Sequence, residues 1–94
     1  PRGALDYIEL ARTYHAIVLS KVPQLSDKNE DKARRFLVLI DELYDRKVKL
    51  IISADVEIPD IYKGHRLKFE FERIKSRLIE MQSLDYLASQ HFII

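Results

Sequence analysis

Two short apolar runs on either side of a long amphipathic segment constrain the fold of this chain more than any other feature. The runs span residues 16–19 and 48–52, and both contain β-branched residues. The first run is continuous, which is typical of a buried strand, and the second, interrupted by Lys49, is predicted as the second strand. Pro23 follows the first run, and Ser53 and Asp55 follow the second, where we expect the strands to give way to loops.

The segment between the runs predicts a helix that begins near residue 30 and ends at Asp45 or Arg46. Its apolar residues recur at intervals of three and four, as they do on one face of an α-helix. These residues are Ala33, Phe36, Leu37, Ile40, Leu43 and Tyr44. Asp27 and Asn29 are both suitable N-caps for it. A strand, a crossover helix and a second strand in this order predict a parallel pair of strands with a right-handed connection.

Helices are also predicted on both sides of this strand–helix–strand unit. A short helix is expected over residues 4–14, one helical turn over 60–62, and a long helix from about Glu70. The apolar face of the long helix consists of Phe71, Ile74, Leu78 and Met81. Ser83 is a candidate cap for a final short helix over 84–89. The predicted fold is therefore α/β, a small parallel β-α-β unit with flanking helices.

The composition argues against several classes of function. The chain has 94 residues, with 16 Lys and Arg against 15 Asp and Glu, so its net charge is +1. Nucleic-acid-binding domains usually carry a clear basic excess, so we expect no nucleic-acid partner. There are no cysteines, and no apolar run approaches the roughly 18 residues that a membrane helix needs. Disulfides, thiolate metal sites and transmembrane segments are therefore not expected.

The narrow sheet favours a segment of a larger protein over a complete one. A parallel sheet usually has more than two strands, with helices on both of its faces. The chain also opens on Pro1 and lacks an initiator Met. We therefore expect residues 1–94 to form one small segment of a longer chain.

Residues 36–42 imitate a Walker B motif, in which an apolar strand ends in an acidic pair that serves Mg²⁺ and the attacking water. Here the acidic pair would be Asp41 and Glu42. The apolar spacing continues in helical register on both sides, so we interpret this stretch as the middle of a helix with both carboxylates largely facing solvent. No glycine-rich phosphate loop accompanies it, since Gly3 and Gly64 are the only glycines.

Arg73 and Arg77 lie one helical turn apart and are the leading candidates for a functional role. Two guanidinium groups on one helix face repel each other unless anions neutralise them. The anion could be the γ-phosphate of a nucleotide in a neighbouring subunit, which would make either residue an arginine finger or a sensor. The alternative, which the residues alone favour, is local pairing with Glu70 or Glu80.

Arg34 and Arg35 are second choices for the same role, with Glu30 and Asp31 within one turn as local partners. The histidines are scattered and have no partners at ligand spacing, so we expect no metal site. They are His15, His65 and His91. No serine lies in the glycine-flanked elbow of a hydrolase nucleophile. The sequence therefore predicts no catalytic residue of its own.

A series of short motifs, in their order and spacing, resembles the C-terminal segment of the ZapE-type AAA+ ATPases, a P-loop NTPase family with mitochondrial relatives. The motifs include Gly3-Ala4-Leu5-Asp6-Tyr7, Ala33-Arg34-Arg35-Phe36, Leu39-Ile40-Asp41, Val48-Lys49-Leu50, Phe69-Glu70-Phe71, Ser76-Arg77-Leu78 and Glu80-Met81-Gln82-Ser83. The resemblance extends from Pro1 to about Leu87. It implies that the chain is part of a P-loop three-layer sandwich.

The resemblance also implies a function for the whole protein. It would hydrolyse ATP with Mg²⁺, and its phosphate-binding loop, true Walker B motif and first sensor would lie N-terminal to this chain. In bacteria it would be cytoplasmic, act at the division site on FtsZ polymers or another protein client, and form a homo-oligomer. Arg73 and Arg77 fall on the family's Phe-x-Arg-x-x-Ser-Arg-Leu motif, which strengthens the expectation of a nucleotide or subunit contact.

Two other classes of function remain open from the sequence. A stand-alone protein-interaction module would suit the balanced charge, the narrow sheet and the apolar tail over residues 88–94. A small nucleic-acid-binding domain would need a basic face and salt-dependent affinity, which the near-zero net charge does not favour.

Overall fold

The computed structural model describes residues 16–83, which form two strands and two α-helices. In chain order these are β1 Ala16–Val22, α1 Glu30–Asp45, β2 Lys49–Ala54 and α2 Lys68–Glu80. Short 3-10 turns span Asp27–Asn29 and Ile58–Asp60. The helices expected over residues 4–14 and 84–89, and the tail, lie outside the described residues. The turn expected over 60–62 is found two residues earlier.

The two strands are parallel neighbours, which confirms the predicted β-α-β unit and the α/β fold. Ala16 pairs with Lys49 and Leu19 with Ile52, and the register then shifts so that Val22 pairs with Ala54. A bulge of this kind inserts an unpaired residue and bends the strand. Both strands continue beyond the apolar runs that predicted them, because backbone pairing persists into the polar residues at their ends.

One face of the sheet packs with both helices into a single core. The apolar face predicted for α2 is confirmed, since its four residues are all at most 2% exposed. In α1 the buried residues are Ala33, Phe36, Leu39, Ile40 and Leu43. Leu37 and Tyr44 are only half-buried, and Leu39 takes the inner position instead. No residue of 16–83 covers the opposite face of the sheet, where the paired residues Val18 and Ile51 are 63% and 64% exposed, so the burial predicted for the strands holds on one face only.

Helix α1 ends in a Schellman motif that turns the chain directly into β2. The Lys47 N–H donates to the Tyr44 carbonyl at 3.2 Å, and the Val48 N–H donates to the Leu43 carbonyl at 2.9 Å. Lys47 has a φ of 58°, which is the left-handed conformation that usually requires glycine. Val48 is fully buried and secures the turn by packing into the core.

Lys47→Gly is expected to be more stable than Lys47→Ala. Both variants lose the same side chain, and only glycine adopts the left-handed backbone without strain between Cβ and the following carbonyl. The difference in the free energy of unfolding should be about 1 kcal/mol, measured by urea unfolding of the two variants. Equal stabilities would mean that the turn changes its conformation when the side chain is removed.

Asn29 occupies the predicted N-cap position of α1 and Asp27 does not, and the side-chain capping occurs at the start of the preceding 3-10 turn, where Ser26 is the N-cap. The Ser26 hydroxyl accepts a hydrogen bond from the Lys28 N–H at 3.2 Å, and Asn29 Oδ1 accepts one from the Ser26 N–H at 2.7 Å. This reciprocal arrangement is a capping box. Asn29 is the residue before α1, but its side chain does not cap that helix.

Asp27 instead holds the connector between β2 and α2. Its carboxylate accepts hydrogen bonds from the Tyr62 hydroxyl at 2.9 Å, the His65 N–H at 3.0 Å and the Arg66 N–H at 3.1 Å. The chain passes so close that a Cβ at Gly64 would collide with the Tyr62 hydroxyl and lie 2.7 Å from Asp27 Oδ1. Only glycine fits at this position.

Asp27→Asn should destabilise the fold at neutral pH and much less near pH 3. Hydrogen bonds from the Arg66 and His65 N–H groups lower the pKa of Asp27 below its ordinary value of 3.8. A carboxylate with a lowered pKa stabilises the fold above its unfolded pKa, and this contribution is lost as the pH falls through the folded value. Urea unfolding at several pH values measures the effect.

Asp31→Asn is the matched control. Asp31 is exposed in the first turn of α1 and accepts no hydrogen bond from residues 16–83. Its replacement should change stability less than Asp27→Asn at pH 7. A difference between the two variants that stays constant down to pH 3 would contradict the role assigned to the Asp27 carboxylate.

Candidate functional site

Arg73 and Arg77 of α2 share one carboxylate, that of Asp41 on α1. Arg73 donates from Nη2 to Asp41 Oδ2 at 2.9 Å and from Nε to Oδ1 at 3.4 Å. Arg77 donates from Nη1 to Asp41 Oδ1 at 2.6 Å. The local pairing expected with Glu70 or Glu80 is therefore wrong: the anion comes from the neighbouring helix. Pairing across the interface brings all three side chains to one place.

The packing of the helices explains why these residues meet. Asp41 directly follows the buried Ile40, and Arg77 directly precedes the buried Leu78, so both lie at the rim of the helix interface. The side chains of Asp41 and Arg77 are 25% and 26% exposed, and that of Arg73 is 45% exposed. Asp41 therefore faces α2 rather than open solvent, which corrects the expectation from helical register.

Tyr44 completes the cluster beneath Arg77. The Arg77 guanidinium carbon lies 4.5 Å from the centre of the Tyr44 ring, a cation–π contact. The Tyr44 hydroxyl donates to Glu80 Oε1 at 2.8 Å. This hydrogen bond, together with burial, raises the pKa of Tyr44 above its ordinary value. Glu80, one of the partners predicted for the arginines, is thus engaged with Tyr44.

Among residues 16–83, Asp41 is the one carboxylate within hydrogen-bonding distance of both arginines. Two guanidinium groups face one carboxylate at hydrogen-bonding distance, and the next carboxylate, Asp45, lies 4.0 Å from Arg77 Nη1. Arg73 is the more exposed arginine and directs Nε and Nη2 towards Asp41. An approaching anion would therefore meet a guanidinium that is positioned by Asp41 and still 45% exposed.

Arg34 and Arg35 do not join this cluster. Arg34 donates from Nε to Glu30 Oε2 at 3.0 Å, as predicted, and Arg66 donates to the other oxygen of Glu30 at 3.1 Å. The Arg34 hydrogen bond lowers the pKa of Glu30. Arg35 is half-buried and forms no ion pair with any residue of 16–83. The two candidate arginines of α1 therefore lie apart from the pair on α2.

The imitation of a Walker B motif is confirmed as mid-helix. Asp41 serves the two arginines, and Glu42 accepts from Arg46 Nε at 3.1 Å within α1. Among the described residues no group of three or more His, Asp or Glu side chains is arranged to hold a metal ion. Within residues 16–83 no helix is long and apolar enough to cross a membrane.

Sequence reasoning missed the role of Asp41, although a signal for it was present. Asp41 adjoins the apolar stripe of α1, as Arg73 and Arg77 adjoin that of α2. Charged residues beside two apolar stripes meet when the stripes pack together. The sequence does not give the relative orientation of the two helices, which decides which of these charged residues meet.

Asp41→Asn should lower the free energy of unfolding by about 1 kcal/mol, since it removes a partly exposed ion pair and leaves two facing cations. The loss should shrink when salt is added, because salt screens the repulsion. Urea unfolding of the 94-residue chain measures both effects.

Asp45→Asn provides the control for this variant. Its carboxylate is 63% exposed and lies at the last residue of α1, where a negative charge opposes the helix dipole. We expect its replacement to be close to neutral. If Asp41→Asn were also neutral at low salt, the arginines would not depend on Asp41.

Comparison with known proteins gives a consistent assignment. A family model described as AFG1-like ATPase matches residues 1–90. The cell division protein ZapE of Escherichia coli K12 is 51% identical over 90 residues, which are 96% of this chain and 24% of that protein. Lactation elevated protein 1 homolog B of Danio rerio is 35% identical over 85 residues, which are 90% of this chain and 17% of the fish protein.

A shorter match is found in a yeast protein. An uncharacterized protein of Schizosaccharomyces pombe is 44% identical over 62 residues, which are 66% of this chain and 14% of the yeast protein. The chain thus spans about a quarter or less of the length of these curated relatives. No solved structure matches the chain at a significant level.

Proposed function

Since this chain belongs to the AFG1-like ATPase family, we propose that it is the C-terminal α/β segment of an AAA+ ATPase that acts in bacterial cell division. The supporting observation is a family match over nearly the whole chain combined with a sequence that has no glycine-rich phosphate loop. ATP and Mg²⁺ would be held by the part of the protein that precedes this segment, within a larger P-loop sandwich.

The segment would contribute Arg73 and Arg77 to the shared nucleotide site or to a subunit contact. Arginine fingers act by bringing a positioned guanidinium to the charge that develops on a transferring phosphate. Arg73 meets this requirement best, since Asp41 orients it while its side chain stays 45% exposed. Arg34 is the weaker candidate because Glu30 already pairs with it at 3.0 Å.

Arg73→Ala and Arg77→Ala, made separately in the full-length protein, should reduce ATP turnover. An arginine at the γ-phosphate contributes roughly 1,000-fold or more to kcat, so a loss of this order is expected for the residue that makes the contact. ATP binding and the thermal unfolding midpoint should change little for that variant. Steady-state ATPase kinetics and titration with a fluorescent ATP analogue measure the two quantities.

Lys75→Ala is the matched control for both arginine variants. Lys75 lies between the two arginines on α2 and forms no ion pair with any residue of 16–83. Its replacement should leave turnover unchanged. Unchanged turnover in both arginine variants would remove the nucleotide role and leave a scaffold that binds a client.

The same proposal extends to location and partners. The protein would be cytoplasmic, assemble as a homo-oligomer, and act at the division site on FtsZ polymers or another protein client. What supports this is the cell-division name of the Escherichia coli relative. The isolated segment should neither bind ATP tightly nor hydrolyse it. Measurable ATP hydrolysis by the segment alone would contradict the proposal that the nucleotide is held by the preceding part of the protein.

A stand-alone protein-interaction module is the second candidate. Val18 and Ile51 form an exposed apolar pair on the open face of the sheet, and such a pair is suited to a partner surface. The reading frame upstream of this segment distinguishes the candidates, because a Walker A motif there decides for the ATPase.

A further inference from the structure

A small groove lies between the carboxyl end of β1 and the first half of α1. It encloses about 200 Å³, and its floor is apolar, with Leu19, Pro23 and Phe36 among its lining residues. Its rim carries the positive charges of Lys21, Lys32 and Arg35. In parallel sheets, ligands bind preferentially outside the carboxyl ends of the strands. The groove therefore combines a favourable position with an amphipathic lining.

The positive charges on this rim are not neutralised within the described part of the chain. Lys21, Lys32 and Arg35 form no ion pair with any residue of 16–83, and no carboxylate is among the described lining residues. Of the three acidic side chains near the start of α1, Asp31 is exposed and forms no ion pair with any residue of 16–83, and the other two are occupied. Glu30 binds Arg34 and Arg66, and Asp27 binds backbone N–H groups of the connector.

The backbone beside the groove is held in an unusual conformation. Lys21 has a φ of 58°, within the irregularity that shifts the register between Leu19 and Val22. Two contacts with β2 fix this shape: the Lys21 N–H donates to Ser53 Oγ at 3.1 Å, and the Asp55 N–H donates to the Val22 carbonyl at 2.9 Å. Residues held in sparsely populated conformations concentrate at functional sites, since surrounding contacts must maintain them.

We propose that this groove docks a peptide segment of a protein partner, with one apolar side chain inserted and an acidic residue beside it. Charge complementarity favours the acidic residue, because three cations and no described carboxylate line the groove. The volume of the groove indicates how much of the peptide can enter it. Pockets that enclose drug-sized ligands are about 300 Å³ or larger, so this groove suits a side chain and not an enclosed nucleotide. The proposal does not depend on the role of Arg73 and Arg77.

A peptide-display selection on the full-length protein tests the proposal without prior choice of ligand. A random linear peptide library is selected on the protein, and enriched peptides are synthesised with a fluorescein label. We expect an Asp or Glu next to a Phe, Leu or Ile to recur among them. Fluorescence anisotropy should show binding that weakens when the apolar residue is changed to Ala, and when salt is added.

Arg35→Gln and Lys32→Gln identify the groove as the binding site. Each should weaken binding of the selected peptide by about 10-fold, the order expected when a charge-assisted hydrogen bond is lost. Lys68→Gln is the matched control, since Lys68 is exposed at the start of α2, away from the groove. It removes the same charge and should leave peptide affinity unchanged. The urea midpoints of all three variants should match that of the parent.

Several results would overturn the proposal. One is a selection that yields no binder, or binders without an acidic residue. Another is a peptide whose affinity is equal in the parent, Arg35→Gln and Lys32→Gln. Loss of fluorescent ATP-analogue binding in Arg35→Gln, with peptide binding retained, would assign the groove to the nucleotide. A dimer seen in sedimentation that Arg35→Gln dissociates would assign it to a second copy of the chain.

Discussion

The relative placement of α1, α2 and the connector before α2 depends on the packing of Phe71 between Tyr62 and Phe36. The Phe71 ring lies 4.3 Å from the Tyr62 ring and 6.4 Å from the Phe36 ring, and all three are nearly parallel. The Tyr62 hydroxyl also accepts from the Leu67 N–H at 3.0 Å, one residue before α2 begins. Since a helix has 3.6 residues per turn, the inward Leu78 leaves Arg77 at the rim of the interface, and Arg73, one turn earlier, reaches Asp41 from the same side.

Asp41 decides what the arginine pair can do. Without an anion, two guanidinium groups one turn apart would spread away from each other, and neither would hold a defined direction. One shared carboxylate orders both, while the side chain of Arg73 stays 45% exposed. An arginine that is ordered before it meets a phosphate loses less entropy on contact. The contacts with Asp41 that stabilise the helix pair are therefore the same contacts that hold the arginines in place for the proposed function.

The spacing of apolar residues predicted the helices and strands of this fold. It could not predict contacts between residues that are far apart in sequence. The stripe of α2 and the strand–helix–strand order were recovered because neighbours within a few residues determine them. The errors concern contacts between residues far apart in sequence. Asp41 and Arg73 are 32 positions apart, and Asp27 and Tyr62 are 35 apart. Local spacing proposed Glu70 and Glu80 for the arginines and a capping role for Asp27, but packing brought other partners closer.

The net charge of +1 conceals an uneven distribution of charge. Several of the carboxylates that bring the net charge close to zero already have partners within the fold. Asp27 accepts from backbone N–H groups, Glu30 pairs with two arginines, and Asp41 pairs with two others. The cations of the groove at the end of β1 have no such partners among residues 16–83. A surface of one sign attracts oppositely charged partners even when the whole chain is nearly neutral. Net charge therefore argues against a broad nucleic-acid surface, yet it leaves room for a small basic groove that recognises a single acidic peptide.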